Sequence, residues 1–280
     1  MRTLYVSDLD GTLLGTDSRV SQRSGEIITE LGKAGALITV ATARTPATVE
    51  PLLSGVKIVP PAIVMTGASL WEHGSCTYRD TKLIDENTAE AIMRCAIAHG
   101  VQPFVYTLAD EGHLAVYRNG EMSEHDRRFV EERRHLPLKR FYLDPGRTEP
   151  PYGVKRIILF FAMGALDRIN ALAADLRSSI DCSVSNYVDI FGKDVGILEV
   201  FASGISKAEA VKSVAHEYGC DRIVVFGDNL NDIPMMQVAD LAVAVGNALP
   251  EVKSAAHHVI GPNSADSVAK FIFEDYYSMQ

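Results

Sequence analysis

Short apolar runs alternate with helix-like segments in both the first and the last part of this chain. This alternation is typical of βαβ units, because parallel strands need a long crossover connection that is usually a helix. The sequence therefore predicts an α/β fold whose two parts are halves of one Rossmann-like parallel sheet. The apolar runs lie at 4–6, 36–41, 62–65, 197–201, 223–226 and 241–245.

The segment between these two parts has a different pattern. From about 82 to 186, predicted strand pairs lie beside helix-like stretches, which is typical of an α+β module with an antiparallel sheet. Because the parallel pattern resumes afterwards, we predict a catalytic core formed by 1–81 and 187–280 with an inserted α+β cap domain at 82–186. A chain of 280 residues is long enough for both.

Charge and cysteine content exclude several classes of protein. The chain has 27 Lys and Arg against 36 Asp and Glu, a net charge of −9, which disfavours nucleic-acid and anionic-membrane partners. Its 4 cysteines are far apart and form no C-x-x-C pair, so reduced thiols are expected. No apolar stretch approaches the length of a membrane span or a signal peptide, so we predict a cytoplasmic protein.

Two carboxylates, Asp8 and Asp10, follow the first predicted strand in the sequence Asp8-Leu9-Asp10-Gly11-Thr12. Residues two apart point to the same side at a strand end, and open α/β sheets bind ligands at the carboxyl ends of their strands. The same sequence also suits an ordinary turn, so this motif alone does not decide between a site and a turn.

A second acidic pair, Asp228 and Asp232, follows the predicted strand at 223–226. Residues four apart can share one helical face, although Asn231 or Asp232 would also serve as a plain helix cap. Four carboxylates at one sheet edge would repel each other unless a cation lay among them. Oxygen ligands without clustered His or Cys indicate Mg²⁺ rather than zinc.

Two further residues have the chemistry to bind phosphate. Thr42 follows the predicted strand at 37–40, where its hydroxyl and nearby backbone N–H groups precede a helix. Lys207 stands at another predicted helix start, where a lysine is unfavourable unless an anion lies opposite it. A strand-end threonine and a solvated surface lysine are the simpler alternatives.

Taken in order along the chain, these motifs resemble those of the haloacid dehalogenase superfamily, and the insert resembles the C2-type cap of its Cof-type, sugar-phosphatase-like members. Four ordered motifs are far more specific than any single one. The motifs are Asp8-Leu9-Asp10-Gly11-Thr12, Thr42, Lys207 and Gly227-Asp228 with Asn231-Asp232.

The resemblance implies a phosphomonoester hydrolase acting on a small phosphorylated metabolite. Asp8 would be the nucleophile that forms an aspartyl phosphate, and Asp10 the general acid and base. Mg²⁺ would be held by Asp8, the main chain of Asp10, Asp228 and Asp232. The phosphoryl oxygens would be bound by Thr42, Lys207 and Asn231.

The chain departs from the family pattern at two positions. Ala43 replaces the glycine of a common Thr-Gly-Arg sequence, and Thr66 replaces the asparagine of Asn-Gly-Ala. Neither change removes a catalytic group, so an altered substrate fit is expected. Arg44 is a possible substrate contact, or it pairs with acids of the cap.

Three alternatives to hydrolysis use a similar set of residues. A phosphomutase would keep the same core residues but return the phosphate to its substrate. A phospho-receiver domain has its acidic pair first and its lysine last, and it lacks an insert of this size. A silent phosphate-binding protein remains compatible with the fold, but loss of Asp10 or Asp228 would be its expected signature. The substrate and the oligomeric state do not follow from the sequence.

Overall fold

The computed structural model describes residues 1–109, 112–147, 151, 153–189 and 192–279. The chain divides into two compact units, Met1–Asp80 with Ser206–Gln280 and Thr81–Ile205, which we term the first and second unit. Among the described residues, no helix combines the length and apolar character needed to cross a membrane.

Strands and helices are numbered here in chain order over the described residues. The strands are β1 (Thr3–Ser7), β2 (Leu37–Val40), β3 (Ala62–Val64), β4 (Ser69–Glu72), β5 (Thr77–Arg79), β6 (Phe104–Leu108), β7 (Leu114–Asn119), β8 (Lys139–Asp144), β9 (Ile157–Ala165), β10 (Cys182–Asp189), β11 (Gly192–Ala202), β12 (Arg222–Gly227), β13 (Leu241–Ala244) and β14 (His258–Val259). The helices are α1 (Gln22–Lys33), α2 (Pro46–Leu52), α3 (Glu86–Ala98), α4 (Glu124–Arg133), α5 (Leu166–Ser179), α6 (Lys207–Glu217), α7 (Ile233–Gln237), α8 (Pro250–Ala255) and α9 (Ser267–Ser278).

The first unit contains a parallel sheet with the strand order β14-β13-β12-β1-β2. Its central strands are almost wholly buried, which explains why they are continuous apolar runs rather than alternating ones. Strands from the two ends of the chain lie side by side in this sheet, β1 pairing with both β2 and β12. The predicted α/β fold with a Rossmann-like parallel sheet is therefore confirmed.

The apolar run at 62–65 does not extend this sheet as a regular strand. β3 pairs antiparallel with β4, which pairs with β5, and only one isolated parallel bridge joins Ala41 to Ile63. Its prediction as a strand of the parallel sheet was wrong, because a short buried run has the same sequence pattern in either kind of sheet. Trp71 and Tyr78 of this hairpin pack edge to face, with their ring centroids 4.9 Å apart.

The second unit is built on a sheet with the order β10-β11-β9-β6-β7-β8, in which only the β7–β8 pair is parallel. Helices α3 and α5 lie together over this sheet and share one hydrophobic cluster with it. Strand β10 covers the range in which a strand pair was predicted around 183–190, and its partner is β11. Residue 190 lies outside the described residues.

Strand β11 was assigned wrongly from the sequence. The run at 197–201 was predicted as a parallel core strand, but it pairs antiparallel with β9 and β10, and the second unit extends to Ile205 rather than 186. The cause is that β11 is buried along most of its length, so its sequence resembles that of a parallel core strand.

A buried ion pair fixes α9 to the parallel sheet. The Asp275 carboxylate accepts hydrogen bonds from the Tyr5 hydroxyl at 2.7 Å and from Arg222 Nη1 at 2.6 Å and Nη2 at 3.1 Å. The two charged side chains are only 11% and 13% exposed. Burial alone would raise the pKa of Asp275, but the hydrogen bonds from Arg222 and Tyr5 outweigh burial and hold it below its ordinary value.

Replacing Asp275 with asparagine should lower the free energy of unfolding by about 2–4 kcal/mol at neutral pH, because Arg222 loses its charged partner. A carboxylate with a lowered folded-state pKa stabilises the protein above its unfolded pKa and ceases to do so as the pH falls through the folded value. The difference from the parent should therefore shrink below about pH 4. Urea unfolding at a series of pH values measures this difference in the free energy of unfolding, with the exposed neighbour Glu274→Gln as control. An equal decrease in both variants would contradict the prediction.

Candidate active site

Asp8 stands where three strand ends meet. It directly follows β1, whose last residue, Ser7, is in register with Phe226 of β12 and Val40 of β2. Its own N–H donates to the Phe226 carbonyl at 3.0 Å, so the sheet hydrogen bonding continues to this residue. The carboxylate is therefore carried by the most regular part of the first unit, at the carboxyl edge of a parallel sheet.

Lys207 is buried and bridges two carboxylates. Its Nζ donates to Asp8 Oδ1 at 2.6 Å and to Asp232 Oδ1 at 2.8 Å, and the side chain is 1% exposed. The alternative of a solvated surface lysine is thus wrong. Ser206, the N-cap of α6, accepts a hydrogen bond from the Glu209 N–H and fixes the first turn of the helix from which Lys207 projects.

Burial and charge act in opposite directions in this cluster. Burial raises the pKa of Asp8, Lys207 opposes this rise, and the neighbouring Asp232 and Asp228 reinforce it. Burial lowers the pKa of Lys207, but the two carboxylates it contacts more than offset burial and raise it. The lysine therefore stays charged, and it favours the ionised form of Asp8.

Asp228 completes a group of three acids. Carboxylate oxygens of Asp8, Asp228 and Asp232 lie within 4.8 Å of one another. The Asp228 Oδ1 accepts a hydrogen bond from Thr12 Oγ1 at 2.8 Å, and burial, with nearby Asp232, raises the pKa of Asp228 to about 6 despite that bond. Gly11 has a φ of +74°, and a Cβ there would collide with the Asp228 carboxylate, so glycine is required.

Asp232 stabilises the loop that follows β12. Its Oδ2 accepts hydrogen bonds from the N–H groups of Asp228 and Asn229, both at 3.1 Å, and a short helical turn Leu230–Asp232 precedes α7. The expectation that Asp228 and Asp232 share a helical face is therefore wrong, because Asp228 lies before the helical turn begins. The two acids meet through a turn instead.

Asp10 and Arg44 form a bidentate ion pair. Arg44 Nε donates to Asp10 Oδ2 at 2.7 Å and its Nη2 donates to Asp10 Oδ1 at 2.6 Å. Asp10 is 53% exposed, so the pair lies at the rim of the buried cluster. Arg44 was predicted to contact substrate or acids of the cap, but its partner in this structure is a candidate catalytic acid of its own unit.

The loop after β2 and the turn after β3 support each other. Thr42 is 1% exposed, and its hydroxyl accepts a hydrogen bond from the Arg44 N–H at 3.1 Å. The Met65 N–H donates to the Arg44 carbonyl and the Thr66 N–H to the Thr42 carbonyl, both at 3.0 Å. Met65 and Thr66 have φ of +49° and +57°, values that are unusual for residues with a side chain.

The described residues bring most of the predicted site together. Asp8, Lys207, Asp228 and Asp232 form one cluster, while Asn231 is exposed on the same loop. Sequence reasoning gave no role to Thr12, which orients Asp228. Its position two residues after Asp10 in the same motif was the signal that could have revealed it.

The charge balance of the cluster favours a bound cation. Three carboxylates face a single ammonium group, and the ligand atoms are all oxygens. Hard oxygen ligands of this kind suit Mg²⁺, and a divalent ion would relieve the repulsion that raises the pKa of Asp228. The residues present therefore fit a magnesium site.

Several known proteins are similar to this chain over nearly its whole length. A 5-amino-6-(5-phospho-D-ribitylamino)uracil phosphatase of Bacillus subtilis is 27% identical over 271 residues, covering 96% of this chain and 94% of its own. A pyridoxal phosphate phosphatase of Escherichia coli is 24% identical over 274 residues, covering 95% and 96%. A solved haloacid dehalogenase-like hydrolase from Bacteroides thetaiotaomicron superposes with a TM-score of 0.77 at 20% identity, covering 99% and 100%.

The model of one protein family, described as haloacid dehalogenase-like hydrolase, matches residues 5–272. That range includes most of β1, the other strands of the parallel sheet and all of the acids of the candidate active site. The names of the two relatives support the predicted enzyme class, a phosphatase. The chain therefore belongs to the haloacid dehalogenase-like hydrolases.

Proposed function

We propose that this protein is a Mg²⁺-dependent phosphatase that hydrolyses a small phosphorylated metabolite through an aspartyl phosphate on Asp8. The observation that carries the proposal is the buried contact of Asp8 with Lys207, beside Asp228 and Asp232. A lysine that opposes protonation of a strand-end carboxylate helps to prepare it to act as a nucleophile. The family to which the chain belongs supports the same chemistry.

The first step forms a bond between Asp8 and phosphorus. Asp8 Oδ1 is held by Lys207, so Oδ2 is the oxygen that attacks, and the ester bond to the leaving alkoxide breaks in line. Lys207 remains beside the reacting carboxylate and offsets negative charge there. Thr42 and Asn231, on neighbouring loops, are proposed to bind the phosphoryl oxygens.

Asp10 is proposed to move the protons. It would donate a proton to the leaving alkoxide and then remove one from the water that hydrolyses the aspartyl phosphate, which returns Asp8 to its carboxylate form. In the structure both carboxylate oxygens of Asp10 accept hydrogen bonds from Arg44. Asp10 must therefore release Arg44 and take up a proton before it can act as the acid.

Asp8 and Asp228, with the main chain of Asp10, are proposed to hold Mg²⁺. Both Asp232 oxygens already accept hydrogen bonds, from Lys207 and from two backbone N–H groups, so Asp232 suits a supporting role that positions the others. When bound, Mg²⁺ would offset the charge of the phosphoryl group and orient it toward Asp8.

The second unit is proposed to be the cap that selects the substrate. It was predicted as an inserted domain, and in the structure it has its own sheet and its own hydrophobic cluster. The substrates named for the two relatives, a phosphorylated ribitylaminouracil and pyridoxal phosphate, are both phosphomonoesters that carry a heterocyclic ring. They are the first candidates here, together with sugar phosphates.

Phosphate release from such a panel tests the proposal. With Mg²⁺ we expect turnover of at least one compound, and EDTA should lower the rate by about 100-fold or more because the three acids lose their counter-ion. Adding Mg²⁺ back should restore the rate. Equal release with and without EDTA would contradict the metal requirement. No release from any compound, combined with phosphate transfer between hydroxyls of a sugar phosphate, would indicate a mutase instead.

A further inference from the structure

Three side chains of the second unit lie close together, and none of them belongs to the proposed active site. The Asp175 Oδ2 lies 3.1 Å from His99 Nε2 and 3.5 Å from Cys95 Sγ. The thiol, imidazole and carboxylate ligand atoms all lie within 4.8 Å of one another. We term these three residues the Cys95 cluster.

The fold holds this cluster in place. Cys95 lies in the last turn of α3 and His99 is its C-cap, four residues later, so both project from one side of the helix. The His99 N–H donates to the Cys95 carbonyl at 3.2 Å, which closes that turn. Asp175 projects from α5, which shares with α3 the hydrophobic cluster of this unit.

Two of the distances between these ligand atoms match those of a tetrahedral zinc site. With Zn–S of about 2.3 Å and Zn–N and Zn–O of about 2.0 Å, a tetrahedron places sulfur and oxygen about 3.5 Å apart and nitrogen and oxygen about 3.3 Å apart. The distances in the structure are 3.5 and 3.1 Å. The Asp175 oxygen therefore already lies at the distances from the sulfur and the nitrogen that a zinc site requires, and the sulfur and nitrogen lie within 4.8 Å of each other.

The ligand types also distinguish this cluster from the magnesium site. A thiolate and an imidazole are soft and borderline ligands that favour zinc over Mg²⁺. The Asp175 side chain is 50% exposed and that of His99 25%, so an ion has access from solvent and a water molecule can supply the fourth ligand. The site would therefore have three protein ligands and one open coordination position.

We propose that the Cys95 cluster binds one Zn²⁺ ion through Cys95 Sγ, His99 Nε2 and an Asp175 carboxylate oxygen. On binding, the Cys95 thiol releases its proton to solvent and the sulfur forms a bond to the metal. The His99 proton moves from Nε2 to Nδ1 by exchange with solvent, which frees Nε2 to bind, and no atom changes its oxidation state. This site is independent of the proposed phosphatase reaction and is assigned from side chains of the second unit alone.

In the absence of metal the same contacts are hydrogen bonds, in which the Asp175 carboxylate accepts from the thiol and the imidazole. Cys95→Ser separates the two explanations, because a serine hydroxyl keeps the hydrogen bond but is a poor zinc ligand. The matched controls are Cys76→Ser and Cys220→Ser, which replace free thiols of the first unit.

The experiment is titration of the full-length protein with Co²⁺, a spectroscopic substitute for zinc, in excess Mg²⁺ that occupies the carboxylate site. The parent should bind one Co²⁺ with a sulfur-to-metal charge-transfer band, and Zn²⁺ should displace it. Cys95→Ser should lose the band and bind Zn²⁺ at least about 100-fold more weakly, while both controls should behave as the parent.

Two results would overturn the proposal. One is the absence of a charge-transfer band in the parent, which would leave the cluster as a hydrogen-bonded end of α3. The other is a band that survives in Cys95→Ser or disappears in Cys76→Ser or Cys220→Ser, which would place the thiolate elsewhere. Thermal unfolding of each variant without metal shows whether it is folded, so that a lost band is not mistaken for a lost fold.

Discussion

Asp8→Asn should reduce phosphate release by about 10⁴-fold or more, because an amide cannot form the acyl phosphate on which the proposed reaction depends. The fold should survive. Asparagine has nearly the same shape, and Lys207 keeps its second carboxylate partner, Asp232, at 2.8 Å. The effect should therefore fall on kcat, with little change in the urea midpoint.

Two measurements check this expectation. Steady-state kinetics on the best compound of the panel give the loss of rate, with Asp17→Asn, an exposed acid of the same segment, as control. Mass spectrometry of quenched reactions should find phosphate on the peptide containing Asp8 in the parent and none in the variant. If Asp8→Asn retained activity within tenfold of the parent, Asp8 would not be the nucleophile.

Lys207→Met should damage both stability and activity. Methionine fills a similar space, but it leaves the Asp8 and Asp232 carboxylates buried without their common cation. Removing one partner of a buried ion pair in this way lowers the free energy of unfolding by about 3–5 kcal/mol. Activity should fall by at least about 10³-fold, since the positive charge that opposes protonation of Asp8 and is proposed to offset the phosphoryl group is lost.

The control for Lys207 lies on the same helix. Lys212 is 48% exposed and pairs with Glu209, so Lys212→Met should change the free energy of unfolding by about 0.5 kcal/mol or less and leave turnover near that of the parent. Urea unfolding with saturating Mg²⁺, followed by kinetics at a temperature where both variants are folded, separates the two effects. Similar losses in the two variants would mean that Lys207 has no special role.

The sequence was sufficient for the parallel sheet and the acids at its edge. Strands β1, β2, β12 and β13 are short, buried and flanked by helices, and this alternation is typical of a parallel sheet. Asp8 and Asp228 follow two of these strands directly, so predicting the strands also predicted where the acids meet.

Other features required knowledge of tertiary pairing. β3 and β11 are buried runs like the parallel strands, and only their neighbours reveal that both pair antiparallel. The ion pair of Arg44 with Asp10 joins residues on different loops, and no local pattern identifies one partner for a long cationic side chain. The Cys95 cluster likewise depends on how α3 and α5 pack.

The turn Met65–Gly67 has a consequence for binding energetics. Two successive residues with side chains, Met65 and Thr66, hold positive φ. A Cβ on Gly67 would lie 2.5 Å from the Ser206 carbonyl oxygen, so this turn lies in close contact with the start of α6. The N–H groups of the turn donate hydrogen bonds to the loop of Thr42 and Arg44. The free energy needed to hold these residues at positive φ is supplied during folding and not again on binding. A phosphate bound as proposed would then contact loops that are already ordered, so little of its binding free energy would be lost in reorganising them.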